Sequence, residues 1–275
     1  MPNFKENNRK GLSSALGPSL HDEYGLSAED YQKGVSILKR WISFLLLGKK
    51  IDIRRGANFV REGPNLIVGN HCGAFKDVAV IFRTVPRPVF FMANRAIFTQ
   101  TEFDALIRKH LRRHLGDFGL AANALLKPLK RSLIKFVSTY CNRVGFIPID
   151  MRGGREDTRR QIQRYLEKGR AVIALQGRGR VQVRDPHPYV SEFRPGTAAI
   201  AFNLLHESGL SVPVTPLAIY GSQKPWLVPG TIKVNVGEPM YVREHIGGSE
   251  EDVVERFRRA LELRVRALFL ELLKD

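Results

Sequence analysis

The chain has 275 residues, 43% of them hydrophobic and 26% charged, proportions ordinary for a globular protein with a sizeable core; length alone does not choose between one large domain and two small ones. Forty-four Lys and Arg against 27 Asp and Glu leave a formal net charge of +17, which calls for anionic partners: lipid surfaces, phosphorylated substrates, acidic proteins or nucleic acid. Two cysteines, Cys72 and Cys141, exclude a disulfide framework and offer no zinc-like spacing, in keeping with a reduced cytoplasmic setting.

Residues 1–26 are polar and rich in Gly, Ser, Asn and Pro, and are expected to form a flexible tail. The opening "MPNFKENNRKGLSS" lacks the apolar core and cleavage site of a secretory signal. Ser27 opens a predicted helix, with Asp30 placed to complete its cap. Tyr31, Val35, Leu38, Ile42 and Leu45 recur at steps of four and three and form one apolar stripe, which Trp41, Phe44 and Leu46 widen and Gly48 ends. Lys39, Arg40, Lys49 and Lys50 surround the stripe, so segment 27–50 reads either as a helix docked on the core or as one lying in a bilayer interface. Its apolar run is far short of the roughly 20 residues that a membrane span needs.

Residues 51–275 alternate between short Val/Ile/Phe-rich strands and helical patterns. Strands are expected at 51–54, 66–69, 88–92, 144–149, 171–175, 213–219 and 232–236. Helices are expected at 77–84, 103–115, 120–141, 155–168 and 195–208, and a last one starts at Ser249 with Glu250, Glu251 and Asp252 in its first turn. This alternation predicts an α/β layer structure. Within "IRKHLRRHL" at 107–115, Phe103, Leu106, Ile107, Leu111 and Leu115 share one helical face, opposite Arg108, Lys109, Arg112 and Arg113. That basic face suits plain solvation, an anionic membrane surface or an acidic protein.

His71 follows the apolar strand "NLIVGN", and Asp77 precedes "VAVIF" in what would be the first turn of a helix. α/β proteins place their chemistry at the carboxyl ends of their strands, where these two side chains would meet. A carboxylate bonded to one imidazole nitrogen fixes the tautomer, and the other nitrogen can then take a proton from a hydroxyl. Taken alone, a His and an Asp six positions apart also fit a structural role. Cys72 adjoins His71, but neighbouring side chains of an extended segment point apart, so a thiol nucleophile is not expected. The remaining histidines show no ligand spacing, and no metal site is expected.

Six elements in order resemble the glycerolipid acyltransferases related to lysophosphatidic acid acyltransferase. "VGNHCGAFKD" resembles the Asn-His-x4-Asp block, and "GFIPIDMR" at 145–152 the second block. "KGRAVIALQGRGR" at 168–180 stands for Phe-Pro-Glu-Gly-Thr-Arg, and "FRPGTAAIA" at 193–201 for Phe-Lys-x-Gly. "VPVTP" at 212–216 and "VNVGEPM" at 234–240 complete the series. The resemblance implies a central mixed or mostly parallel sheet flanked by helices, and an O-acyltransferase in which His71, oriented by Asp77, deprotonates a hydroxyl acceptor. The acyl donor would be the thioester of acyl-CoA or acyl carrier protein as co-substrate, with no other cofactor. It also implies a cytoplasmic protein peripheral at the inner face of an anionic membrane, with a lipid-like acceptor; the basic residues lack interleaved aromatics and no nucleic-acid motif appears, so no nucleic-acid partner is expected. The alternative is a catalytically inactive relative that binds lipid or acyl thioester.

The chain departs from the family pattern at three places. Five residues, not four, separate His71 from Asp77; on a continuous helix the extra one would turn the carboxylate away by about 100°. A bulge in the connecting loop absorbs it if Gly73 supplies a positive φ. The arginine of the second block falls one residue late, as Arg152. In the third block the glutamate is lost: ungapped alignment puts Gly177 in its place and Arg178 in that of the glycine, whereas a one-residue shift puts Gln176 there and keeps Gly177. Arg180 holds the family's arginine. Arg152, Gly177, Arg178 and Arg180 are the expected substrate-binding residues, suited to a phosphate by charge and close backbone approach.

Overall fold

The computed structural model describes residues 28–73, 75–115, 127–140, 146–149, 155–176, 189–225 and 228–274. The expected tail at 1–26, the Ser27 cap and the 120–126 portion of a predicted helix lie outside the described residues. In chain order the elements are α1 (Ala28–Leu45), β1 (Lys49–Arg54), β2 (Asn65–Asn70), α2 (Phe75–Thr84), β3 (Val89–Asn94), α3 (Gln100–Leu115), α4 (Lys127–Tyr140), β4 (Phe146–Ile149), α5 (Arg155–Glu167), β5 (Ala171–Gln176), α6 (Gly196–Ser208), β6 (Val214–Tyr220), β7 (Gly230–Val236) and α7 (Glu250–Leu273). The fold is α/β, with strands in a mixed sheet and helices flanking it. Among the described residues seven strands fall where apolar runs bounded by turn residues place them; residues 144–145 of the expected strand 144–149 lie outside the described residues. Two compact units divide the chain: one is built on Lys39–Phe90 and Arg159–Asp275, the other on Phe91–Thr158 with the stretch ending at Leu38.

In the first unit the strand order is β1-β7-β6-β2-β5. β2 runs parallel to both β5 and β6, β1 runs parallel to β7, and β6–β7 is antiparallel. β2 is buried at every position, and Leu66, Ile67 and Val68 have no exposed surface. Such a continuous apolar run, without inside/outside alternation, is what a parallel strand covered on both faces requires. Because β2, β5 and β6 are parallel, their carboxyl ends gather Asn70, Gln176 and Tyr220 at one end of the sheet; Asn70 pairs with Gln176 in register. Gly48 ends α1's turn with φ 71° and leads into β1.

α7 packs Val253, Phe257, Leu261, Val265, Leu268 and Leu272 into the core at steps of three and four. Its start is sealed by a capping box: Ser249 Oγ accepts the Asp252 N–H, and Asp252 accepts the Ser249 N–H. The same helix buries an ion pair, Arg258–Glu262, at 2.7 Å. Of the stripe assigned to this segment, Leu38, Ile42 and Leu45 are half-buried and Leu46 is buried, whereas Phe44 is exposed, as is Leu47 beyond the helix end.

In the second unit, β3 from Phe91 onward pairs in parallel with β4, and the rings of Phe91 and Phe146 stack at 5.3 Å. In α3, Phe103 is buried, but Leu106, which the periodicity assigns to the same face, is exposed. It lies at the edge of that face, one step short of Ile107, which continues from Phe103 at the four-residue spacing. Arg108 pairs with Asp104 one turn away at 2.8 Å. On α4, Ile134 and Val137 are buried.

Candidate active site

The site lies where β2 ends. Asn70, fully buried, ties its side chain to backbone on both sides: Nδ2 donates to the carbonyls of Ile219 (2.9 Å) and Tyr189 (3.1 Å), with a longer contact to Cys72 Sγ (3.8 Å), and Oδ1 accepts the Ile219 N–H at 2.8 Å. This closes the strand end against β6 and sets the direction in which the next residue leaves. That residue is His71.

His71 Nδ1 stands 2.9 Å from Oδ2 of Asp77. Asp77 is the third residue of α2 and is completely buried, whereas 27% of the His71 side chain is exposed. The Gly73 N–H donates to the same Oδ2 at 2.7 Å. With Nδ1–H directed at the carboxylate, Nε2 is the nitrogen left to accept a proton. The lengthened spacing does not separate the pair, because α2 begins only at Phe75 and the additional residue falls in the connection before it.

Gly73 acts differently from the expectation. Its φ is not in the left-handed region, so no positive-φ bulge forms. The requirement is space: a Cβ at residue 73 would lie 2.4 Å from Ser222 Oγ and 2.8 Å from Asp77 Oδ1. The bare backbone lets the turn press against Ser222 and bring its N–H onto the carboxylate.

The Cys72 side chain is buried among polar atoms. Its Sγ lies 3.3 Å from Ser222 Oγ and 3.5 Å from the Ile219 carbonyl. Burial, reinforced by the nearby Asp77 charge, pushes its pKa far above the ordinary thiol value. A thiol so held is not a nucleophile.

Arg152, Gly177, Arg178 and Arg180 lie outside the described residues. Gln176, the alternative occupant of the glutamate position, ends β5 with its amide held at both its oxygen and its nitrogen: Oε1 accepts the Arg194 N–H (3.2 Å) and Nε2 donates to Thr197 Oγ1 (2.9 Å). The neighbouring Phe193 is clasped from α7, its N–H by Glu262 (2.9 Å) and its carbonyl by Arg258 (3.1 Å). Sequence reasoning missed Ser222, Gln176 as a strut, and this clasp. Only the clasp left a trace, in the four-residue spacing of Arg258, Glu262 and Arg266, which reads equally well as exposed helical ion pairs. Among the described residues no group of His, Cys, Asp and Glu is arranged to hold a metal ion.

These features define an α/β protein with a carboxylate-oriented histidine at the carboxyl ends of its parallel strands. No protein-family model matches the chain, and no curated protein sequence matches it. Among solved structures the chain is similar in fold to the 1-acyl-sn-glycerophosphate (LPA) acyltransferase PlsC from Thermotoga maritima, with a TM-score of 0.51 and 17% identity over 90% of this chain and 87% of that one.

Proposed function

We propose that the protein is a glycerolipid-type O-acyltransferase that moves an acyl group from acyl-CoA or an acyl carrier protein to a lipid-like hydroxyl acceptor. The observation that carries this reading is the 2.9 Å contact between His71 Nδ1 and the buried Asp77 carboxylate. The likeness in fold to PlsC adds weight to it. Nε2 of His71 takes the acceptor's hydroxyl proton as the oxygen attacks the thioester carbonyl. The tetrahedral intermediate then collapses with cleavage of the C–S bond, and the imidazolium returns its proton to the departing thiolate. Asp77 orients the ring and stabilises its charged form, while the Gly73 N–H holds the carboxylate in place. Arg152, Gly177, Arg178 and Arg180 are proposed to hold the acceptor's polar end, and the protein is proposed to work peripherally at the cytoplasmic face of an anionic membrane.

The test uses purified protein, a labelled acyl thioester and a mixture of polar lipids. His71→Ala should abolish transfer. Asp77→Asn should lower kcat by about 10²–10⁴-fold, with both variants keeping the wild-type thermal transition. Undiminished transfer by His71→Ala would refute the mechanism, and thioester binding without turnover in the wild type would favour the non-catalytic alternative.

A further inference from the structure

Two lysines from different elements converge on one loop beside the site. Lys49, at the start of β1, donates from Nζ to the carbonyls of Pro225 (3.1 Å) and Val228. Lys76, in the first turn of α2 and next to Asp77, donates from Nζ to the carbonyl of Lys224. Among the described residues neither ammonium has a carboxylate within ion-pairing distance. An ammonium carries three N–H donors; Lys49 uses two and Lys76 one, so half of their six remain for a ligand. The two charges feel one another: burial, and then the charge of Lys49, lower the pKa of Lys76, and Asp77 offsets this only in part. Concentrated positive charge of this kind, offset only in part by Asp77, is stabilised by an anion bridging the two groups.

The surroundings narrow the anion's class. Leu47, two residues before Lys49, is 58% exposed; Val228, whose carbonyl Lys49 holds, is 48% exposed; and Phe75, which precedes Lys76, is 42% exposed. Apolar side chains presented to solvent around a lysine pair fit an amphiphile, with its phosphate on the ammoniums and its hydrocarbon against Leu47, Phe75 and Val228. A free polyanion would gain nothing from them.

We propose that Lys49 and Lys76 form a binding site for the phosphate of an anionic lipid headgroup in a bilayer surface, at the edge of the His71 site. This extends the acyltransferase reading by naming the lipid contact beside that site. It is tested by binding without turnover, so the two can fail separately. Flotation with phosphatidylcholine vesicles, with and without phosphatidylglycerol, compares the wild type with Lys49→Gln/Lys76→Gln and with a charge-matched control, Arg243→Gln/Lys274→Gln. The lysine-pair variant is expected to lose about thirtyfold in affinity for the anionic vesicles, the control only a few-fold, and Lys49→Arg/Lys76→Arg is expected to retain binding. Equal losses in the lysine-pair variant and the control would overturn the proposal, because bulk charge would then account for the attraction. Displacement from the vesicles by millimolar glycerol phosphate would overturn the assignment to a lipid. If the double variant loses its cooperative thermal transition, Lys49→Gln and Lys76→Gln singly carry the same comparison, each with about fivefold expected.

Discussion

A Cβ on residue 73 would meet Ser222 Cβ at 2.5 Å as well as its Oγ, and neither is the far end of a flexible chain, since Ser222 is fully buried. Overpacking of this kind costs about 1–3 kcal/mol. Gly73→Ala should therefore destabilise the fold by that amount and, by displacing the N–H that holds Asp77, reduce acyl transfer as well. Ser222→Gly removes both clashing atoms, so Gly73→Ala/Ser222→Gly should recover part of the loss. It should not recover all of it, because Asp77 Oδ1 still stands 2.8 Å from the new methyl. Urea denaturation of the two single variants and the double variant closes the cycle. Strict additivity would show that the two side chains do not meet as described. The His71–Asp77 pair itself was legible from sequence, because both partners lie on one short stretch that a strand end and a helix start bring together. The packing of Ser222 against Gly73 was not, since residues 149 positions apart leave no mark of contact in a single sequence.

At the scale of elements, α7 does more than cover the sheet. Its buried Arg258–Glu262 pair holds both backbone groups of Phe193. Glu262→Ala takes the acceptor from the Phe193 N–H and one carboxylate from Arg258, which keeps its bonds to Glu255, so it should cost about 1–3 kcal/mol. An apolar replacement of both, Arg258→Met/Glu262→Leu, would ordinarily restore stability. Here it should restore only part, because the Phe193 N–H and carbonyl lose their partners, at about 1–3 kcal/mol for each group left unsatisfied. Equilibrium unfolding decides: a double variant as stable as the wild type would mean that the clasp contributes nothing beyond its own charges. The elements themselves were readable because their signals are local. Runs such as "NLIVGN" and "AVIALQ" end at the strand boundaries, and Ser249 with Asp252 marks the start of α7. Leu106 shows the limit of periodicity: a residue at the border of an apolar face goes in or out according to what packs there, and its own helix does not specify that.

For the molecule as a whole, the excess of +17 sets how it responds to acid. Among the described residues, four carboxyl groups are held below their ordinary pKa by bonds made in the fold. Glu207 is held by Arg159 and Gln163, Asp252 by Ser249, and Glu255 by Arg258; Glu271 is held by Asn235 and Arg55 against the opposing effect of its partial burial. A depressed folded-state pKa means that the unfolded chain binds the proton first. The stability these groups contribute is complete above the unfolded carboxylate values, about 3.9–4.3. It is lost as pH falls through the lower, folded values. Protonation of carboxylates across the chain also raises the net positive charge, and the folded state, which holds like charges closer together, bears more of that repulsion. Both effects have the same sign, so Tm should hold nearly level from about pH 7 to 5 and fall progressively below it. Salt should separate them. Screening relieves the long-range repulsion but leaves hydrogen-bonded pairs such as Asp252–Ser249 largely intact, so added salt should raise Tm at low pH. Thermal melts by circular dichroism across this range, at low and moderate ionic strength, would contradict the account if Tm stayed unchanged well below the pKa of the free carboxyl groups. A salt-induced fall in Tm at acid pH would contradict the part assigned to net charge, since it would show that attraction between pairs outweighs the repulsion that this chain's composition imposes.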